Sequence, residues 1–563
     1  MTGESNQIKL KELDPRFRGD DNIVIMNAEE IKSELNPILH PENVAVSDYS
    51  KTGFHIEATV SPDQILPVVR FLRKKEFFLE QITGADFKET FQLSYQFNRF
   101  DQTLRVILRL KQPWNEYQVP SITSIYAGAN WFEREVFDMY GIQIKNHPHL
   151  KRLLLPEFCN FHPLRKGFKF EGDSVQDVNR AWELEQEAEQ KISSTVLESH
   201  RRDYFVNMGP QHPSTHGVLR LLLHMDGEII LEVDPVIGYA HRADEKMGEN
   251  GNYLQFTPYP SRVDYLAGMI YNWGYVGTVE RALGIELTER CKYIRVIVSE
   301  LQRLASHLLW YGAFLMDLGN FTPFLYCFQD REEILDMFEL CDGSRLTYNY
   351  FRFGGQERDL SPEFLDRARK FIPMLKSHLK DYEQLVAKNI IFRKRTEGVG
   401  VITKDLAIEY GVTGGALRAC GIPYDVRKSE PYGIYDQFQW DVPTKTGGDA
   451  YSRFQVRVQE MWQSLRILEQ ALPKIPEGPY NNPQAPKRFK PNAGEYYFCV
   501  ESPRGQMGIY LISDGTENPY RIKMRTPCYN NLEVISPIGK GHLLADVVCI
   551  LGSLDIVVPD VDR

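Results

Sequence analysis

Between residues 171 and 203 the chain places nine acidic and four basic side chains among few apolar ones. A helix of that composition has no face with which to join a core, so it reads as a connector that splits the chain in two. Ser174 followed by Asp177 supplies a modest capping signal for it. At 563 residues the chain is in any case too long for a single hydrophobic core. The predicted division is a disordered extension over 1–22, a first domain over 23–170, the polar helical linker over 171–203 and a second domain over 204–563.

The first domain reads as mixed α/β. Asn27 to Leu35 and Asp63 to Lys75 have helical spacing, the second with Ile65, Leu66, Val69 and Leu72 on one face. Thr90 to Phe97 and Thr103 to Leu110 alternate like strands, and Asn98 to Asp101 between them suits a hairpin turn. Asn130 to Tyr140 is a helix stopped by Gly141. The second domain opens with strands, Gly217 to Met225 and Glu228 to Val233, turned at Asp226-Gly227. Long helices are expected over Val263 to Ala282, Tyr293 to Leu318, Glu332 to Tyr350 and Pro362 to Lys388, the last capped by Ser361. A hairpin over Tyr496 to Val500 and Met507 to Ser513 completes a helix bundle with peripheral β-strands. The fold class is therefore multidomain α+β.

Several function classes drop out on composition. Lys and Arg number 66 against 76 Asp and Glu, a net charge of −10, which disfavours nucleic acid as a partner. No apolar run reaches membrane-spanning length, and the His542 to Pro559 stretch is interrupted by Asp546 and Asp555. The N-terminus lacks the apolar core of a signal peptide, so a cytoplasmic location is expected. The eight cysteines stand far apart with no Cys-x-x-Cys, which argues against an iron–sulfur cluster or zinc ribbon held by this chain. No glycine-rich nucleotide signature is present either. A redox role would need an electron donor on another subunit.

The chemistry-bearing residues collect in a few places. Asn207 to Gly217 carries His212 and His216, four apart, but Pro213 stands where a zinc protease needs Glu and the flanking glycines and prolines favour a loop. That loop either is a rigid turn or presents an imidazole to a substrate. His241, Arg242, Asp244 and Glu245 precede Arg262, Asp264 and Tyr265. Taken singly these are surface charges or a core tyrosine; together they supply a hydroxyl donor, an acid and two cations. Asp317, near the end of an apolar helix, is badly placed for the helix dipole, which marks it as compensated or functional. In the first domain His147-Pro-His149 reads as a docking loop before a metal site, and His162 to Lys166 follows it.

The second domain resembles, over essentially its whole length, the 49-kDa (D) subunit of NADH–quinone oxidoreductase, respiratory complex I. The residues carrying this are Met208 to Arg220, His241-Arg242 with Glu245-Lys246, Arg262 with Asp264-Tyr265, Arg303-x-x-Ser-His307, Gly448-Asp449, Arg525-Thr-Pro527 and Gly552 to Arg563. The first domain is similar to the 30-kDa (C) subunit through Glu133 to Gly141, His147-Pro and His162 to Lys166. Both in one chain imply the fused C/D subunit found in some bacteria.

The resemblance implies that the second domain shares the fold of the nickel–iron hydrogenase large subunit, with the former metal pocket now a quinone cavity and no metal bound. It implies that Tyr265 and His216 hydrogen-bond the quinone head and that Asp264 and Asp317 are acid partners. His212, Arg242 and Arg262 are carried over as cofactor-side residues, the arginines beside a [4Fe–4S] cluster on the adjoining B subunit. Quinone is then the substrate, and NADH and FMN belong to other subunits. The implied partners are the B, I and G subunits and the membrane-arm H subunit. The implied location is peripheral, on the cytoplasmic side of the bacterial inner membrane. Four positions depart from the family pattern: Ala243 and Asn146 where glycine is usual, Phe161 likewise, and Gln506 where glutamate is common. The competing readings are a nickel-bearing hydrogenase-type enzyme, which the missing cysteine pairs oppose, and a pure scaffold.

Overall fold

The computed structural model of the chain describes residues 26–116, 118–169, 203–215, 217–386 and 388–563. The extension over 1–22, the linker apart from Asp203, and His216 lie outside the described residues.

The first domain begins with helix α1 (Ala28–Leu35), whose start is fixed by a capping box between Asn27 and Glu30. Strands β1 (Val44–Val46) and β2 (Ile56–Thr59) follow, then α2 (Pro62–Lys74), β3 (Phe78–Asp86), β4 (Thr90–Asn98) and β5 (Val106–Pro113). They form one mixed sheet in the order β1-β2-β5-β4-β3, with β2 and β5 parallel and the other pairs antiparallel. Helix α3 (Ala129–Tyr140) packs on β3 and stops at Gly141, which takes the left-handed φ of 76°. Helices α1, α2 and α3 and strands β4 and β5 match the sequence reading to within a few residues, whereas β1, β2 and β3 have no counterpart in it.

The second domain opens with β6 (Asp203–Met208), β7 (Arg220–Asp226) and β8 (Ile229–Val236), an antiparallel sheet. Two short helices, α4 (Asp244–Asn250) and α5 (Pro260–Val263), lead into α6 (Gly268–Leu283), α7 (Glu289–Asp317), α8 (Thr322–Asp342) and α9 (Pro362–Val386). Helix α10 (Ala450–Ala471) follows, then β9 (Gly494–Ser502), β10 (Gly505–Ser513) and β11 (Arg521–Arg525), and finally α11 (Pro527–Glu533), α12 (Leu544–Leu554) and α13 (Val558–Asp562). Among the described residues no helix is long and apolar enough to cross a membrane.

Three expectations need correction. The helix expected from Val263 begins at Gly268, because Asp264 folds back to accept the Leu266 amide at 3.1 Å and breaks the spiral. The helix expected over Glu332 to Tyr350 runs Thr322–Asp342 instead, ended by Gly343 at φ 82°. The late hairpin is not peripheral. With β11 it forms a three-stranded sheet whose β10 and β11 are buried throughout. Helix α6 lies on one face so closely that a Cβ at Gly277 would come within 2.4 Å of the Phe498 ring. The first domain covers the other, where Ser94 and Tyr510 meet at 3.2 Å.

The polar seam between the domains explains why β4 buries Gln92, Ser94, Gln96 and Asn98. Arg105, wholly buried, is its hub: it pairs with Glu80 and with Glu430, each at 2.7 Å. Gln506 donates to Glu80 at 2.7 Å, a bond that a glutamate there could not donate when ionised. Burial alone would raise the Glu430 carboxyl, but Arg105 and the Tyr49 hydroxyl hold it down at about 2. A carboxylate so depressed adds stability above its ordinary value of 4.5, and that stability is lost as pH falls from there toward 2. The urea midpoint of the full chain is expected to fall across this window by an amount equivalent to about 3 kcal/mol from this group. Glu430→Gln flattens that part of the profile; an unchanged acid slope in the variant would contradict the assignment.

Candidate functional site

The site is built where α5, α7, α12, α13 and the β9–β10 turn converge. Arg504, in that turn and wholly buried, donates to Asp264 at 2.9 Å, to Ser306 on α7 at 3.1 Å and to Asp555 at 3.2 Å. Asp555 ends α12 with a left-handed φ of 59°, and Arg457 from α10 stands 3.8 Å from its carboxylate. Arg457 also donates to the last carbonyls of α12, at Ser553 and Leu554, where a cation suits the negative end of a helix.

Asp264 is fully buried, and burial outweighs Arg504 to raise its carboxyl above the ordinary value. Tyr265, next in sequence, is half-buried at the edge of the cluster. Burial raises its hydroxyl, and the Arg504 charge tempers the rise. A third acid, Asp560 on α13, accepts from the Tyr271 hydroxyl at 2.6 Å and the Cys528 amide at 3.1 Å. Burial and the neighbouring Asp264 push it up to about 7.

The remaining candidate residues fall around this centre. Asp317 ends α7 beside α12, its carboxylate close enough to Gly552 that a Cβ there would lie 3.6 Å away. His212 is exposed and its carbonyl accepts from Thr215 at 2.7 Å. Residues 213–215 form a single 3₁₀ turn against α12, consistent with the loop expected there, and Gly217 abuts Val558 of α13. Arg242 and Arg262 are exposed and share a cleft of about 1010 Å³ with His241, Asp244, Tyr259 and Pro559.

Two features hold that cleft in place. The Asp562 carboxylate accepts the Gly238 and Ala240 amides at 2.9 and 2.7 Å, and its carbonyl meets the His241 ring at 2.6 Å. The terminal Arg563 side chain is buried, bonded to Glu135 of α3 at 2.6 Å and 3.5 Å from Glu245. Lys523 bonds Glu135 as well, so the chain end is tied to the first domain. Ala243, at the start of α4, adopts a left-handed φ of 57°, and Asn146 one of 61°. Neither residue is glycine, yet both hold a left-handed backbone that favours glycine.

The first-domain motifs make contacts within the chain. Asp138 accepts three consecutive amides, Leu153 to Leu155, at 3.1, 2.8 and 2.9 Å. The His162 ring meets the Asp138 carbonyl at 2.9 Å and Lys166 reaches Glu249 of the second domain at 2.8 Å. His147 lies 3.9 Å from Glu133, whose carboxyl burial pushes up to about 8. All eight cysteines are free and buried, and among the described residues no group of three or more His, Cys, Asp or Glu is arranged to hold a metal ion.

Sequence reasoning did not single out Arg504, Asp555, Asp560 or Arg457. The available signals were acids interrupting an apolar C-terminal run and the family-like Gly552 to Arg563 stretch that holds Asp555 and Asp560, and nothing local points from there to an arginine 51 residues earlier.

Comparison with known proteins bears on both halves. Residues 58–174 match the family model of the respiratory-chain NADH dehydrogenase 30 Kd subunit, and residues 317–493 and 484–563 match that of the 49 Kd subunit. The D subunit of an NADH-quinone oxidoreductase from Syntrophobacter fumaroxidans is 56% identical over 360 residues, covering 64% of this chain and 96% of that protein. The C/D subunits from Nitrosospira multiformis and Methylococcus capsulatus are 40% and 39% identical. The first covers 84% of this chain and 83% of its own length, the second 83% and 85%.

Proposed function

Since the chain belongs to the family of fused C/D subunits of NADH–quinone oxidoreductase, we propose that its second domain forms the chamber in which that complex reduces quinone. In this reading Tyr265 and His216 hydrogen-bond the two ends of the quinone head, and Asp264 and Asp317 are their acid partners. Quinone reduction takes up two electrons and two protons, so the site needs donors that stabilise negative charge on oxygen and a supply of protons behind them. The observation that carries the proposal is the half-buried Tyr265 phenol standing against a buried cluster of acids organised by Arg504.

Electrons would arrive from outside the chain. Its cysteines are single and buried, a donor set that does not fit an iron–sulfur cluster. The exposed Arg242 and Arg262 guanidiniums would instead face a [4Fe–4S] cluster on the adjoining B subunit, where positive charge favours the reduced form. The first domain, tied to the second through Arg105, Arg563 and Lys166, would dock the other peripheral-arm subunits, with NADH and FMN bound elsewhere in the complex. The second domain's likeness to the hydrogenase large subunit belongs to the same proposal.

Tyr265→Phe in the assembled complex tests this directly. NADH–quinone turnover is expected to fall by about 10²-fold or more, because one proton donor is removed from the reacting oxygen. NADH oxidation by a soluble artificial acceptor should stay at the wild-type rate. A scaffold role for these residues predicts unchanged quinone turnover.

A further inference from the structure

We propose that Asp560 is a positioning residue for quinone reduction: the charge on its carboxyl controls how tightly Asp264, and through it Tyr265, holds a proton. The inference rests on the quinone-chamber reading above.

Two buried carboxylates, Asp264 and Asp555, share Arg504, and a third buried acid, Asp560 on α13, acts electrostatically on Asp264. Arg504 is committed to the first two, and Arg457 stands against Asp555. Asp560 has no cation within 4 Å among the described residues; its partners are neutral, the Tyr271 hydroxyl and the Cys528 amide. Among the described residues, geometry therefore leaves one acid of the three without a cation in contact, with the Arg563 charge acting on it only from farther off. A buried, unpaired carboxylate is costly to ionise, and it takes up a proton instead.

The surroundings of Asp560 define the balance. From α6 comes Tyr271; from the β11–α11 junction come Thr526, whose hydroxyl donates to the Asp560 carbonyl at 2.6 Å, and the Cys528 thiol. From the end of α5 comes Asp264; and from its own segment comes Arg563, whose side chain is bonded to Glu135, lies 3.5 Å from Glu245 and acts on Asp560 only through its charge. Burial and Asp264 raise the Asp560 carboxyl, and hydrogen bonds from the Cys528 thiol, the Tyr271 hydroxyl and the Cys528 amide lower it, leaving it at about 7. Below that pH Asp560 is neutral, and Asp264 is set by its burial, Arg504 and the backbone amides it accepts. Above it a second negative charge sits near Asp264 and raises its proton affinity, so that a proton passing through Asp264 is released less readily toward the phenol side.

The test is the pH profile of quinone turnover in the assembled complex between about pH 6 and pH 9, normalised to NADH oxidation by a soluble acceptor. The wild-type rate should fall on the alkaline side with a midpoint near 7, by up to about tenfold per pH unit where this ionisation controls the step. Asp560→Asn, neutral at every pH, should abolish that limb. Tyr271→Phe removes a bond that favours the anion, so its limb should move to higher pH by about one unit. Asp560→Glu should restore a limb. If Asp560 only holds α13 in place, the variants lower the amount of complex but keep the wild-type profile per complex, which overturns the inference. If Tyr265→Phe retains quinone turnover, the chamber reading fails as well; if Tyr265→Phe loses turnover while Asp560→Asn keeps the limb, this inference alone falls.

Discussion

Replacing Arg504 by Met should destabilise the second domain by about 3–5 kcal/mol, one of the two largest single-residue effects expected in this protein. The arginine is wholly buried and serves Asp264 at 2.9 Å, Ser306 at 3.1 Å and Asp555 at 3.2 Å. Methionine fills much of its volume but leaves the buried Asp264 without its cation and Asp555 with only Arg457 at 3.8 Å. They respond by taking up protons, which removes the charge but not the loss of directed hydrogen bonds. The urea midpoint of the full chain at neutral pH measures the effect. A triple variant that also carries Asp264→Asn and Asp555→Asn should recover a good part of it, because breaking one partner of a buried pair costs more than replacing all of them. A loss of under about 1 kcal/mol in the single variant would mean that the cluster is not organised by this arginine.

The second large effect is at the domain seam. Arg105→Met should cost about 3–5 kcal/mol, because it strips Glu80 and Glu430 of a shared cation in a fully buried position. Arg105 is bonded within its own domain to Glu80 and across the seam to Glu430, so the loss falls on docking as much as on folding. Calorimetry of the variant should show the two domains melting separately, at lower and unequal temperatures. A double-mutant cycle with Glu430→Gln isolates the cross-seam term, and its coupling energy should be about 1–3 kcal/mol. Zero coupling would show that the domains are held by apolar burial alone.

Both predictions depend on contacts between residues far apart in the chain: 240 positions separate Asp264 from Arg504, and 325 separate Arg105 from Glu430. That separation explains which features were readable beforehand. Helix α1 with its Asn27 capping box, α3 with its Gly141 stop, the β4–β5 hairpin and the β7–β8 turn at Asp226-Gly227 all match the sequence reading closely. Each rests on residues within a few positions of one another, where backbone preferences and side-chain spacing suffice. The site motifs around Arg242, Asp264 and Tyr265 were recognisable for the same reason, as short runs of unusual residue types.

What adjacent residues do not carry is burial that another part of the chain imposes. The β9–β10 hairpin alternates like a strand pair with one wet face, yet it is closed on one side by α6 and on the other by the first domain. Arg504 and Asp560 look unremarkable in sequence and become the centre of the site once α12, α13 and the hairpin turn meet. The amino-acid order alone thus specified many of the local elements and turns and the family to which they belong. The charge on each buried acid was settled only by assembly, because a carboxylate's proton affinity depends on the cations and solvent that distant segments bring to it or keep away.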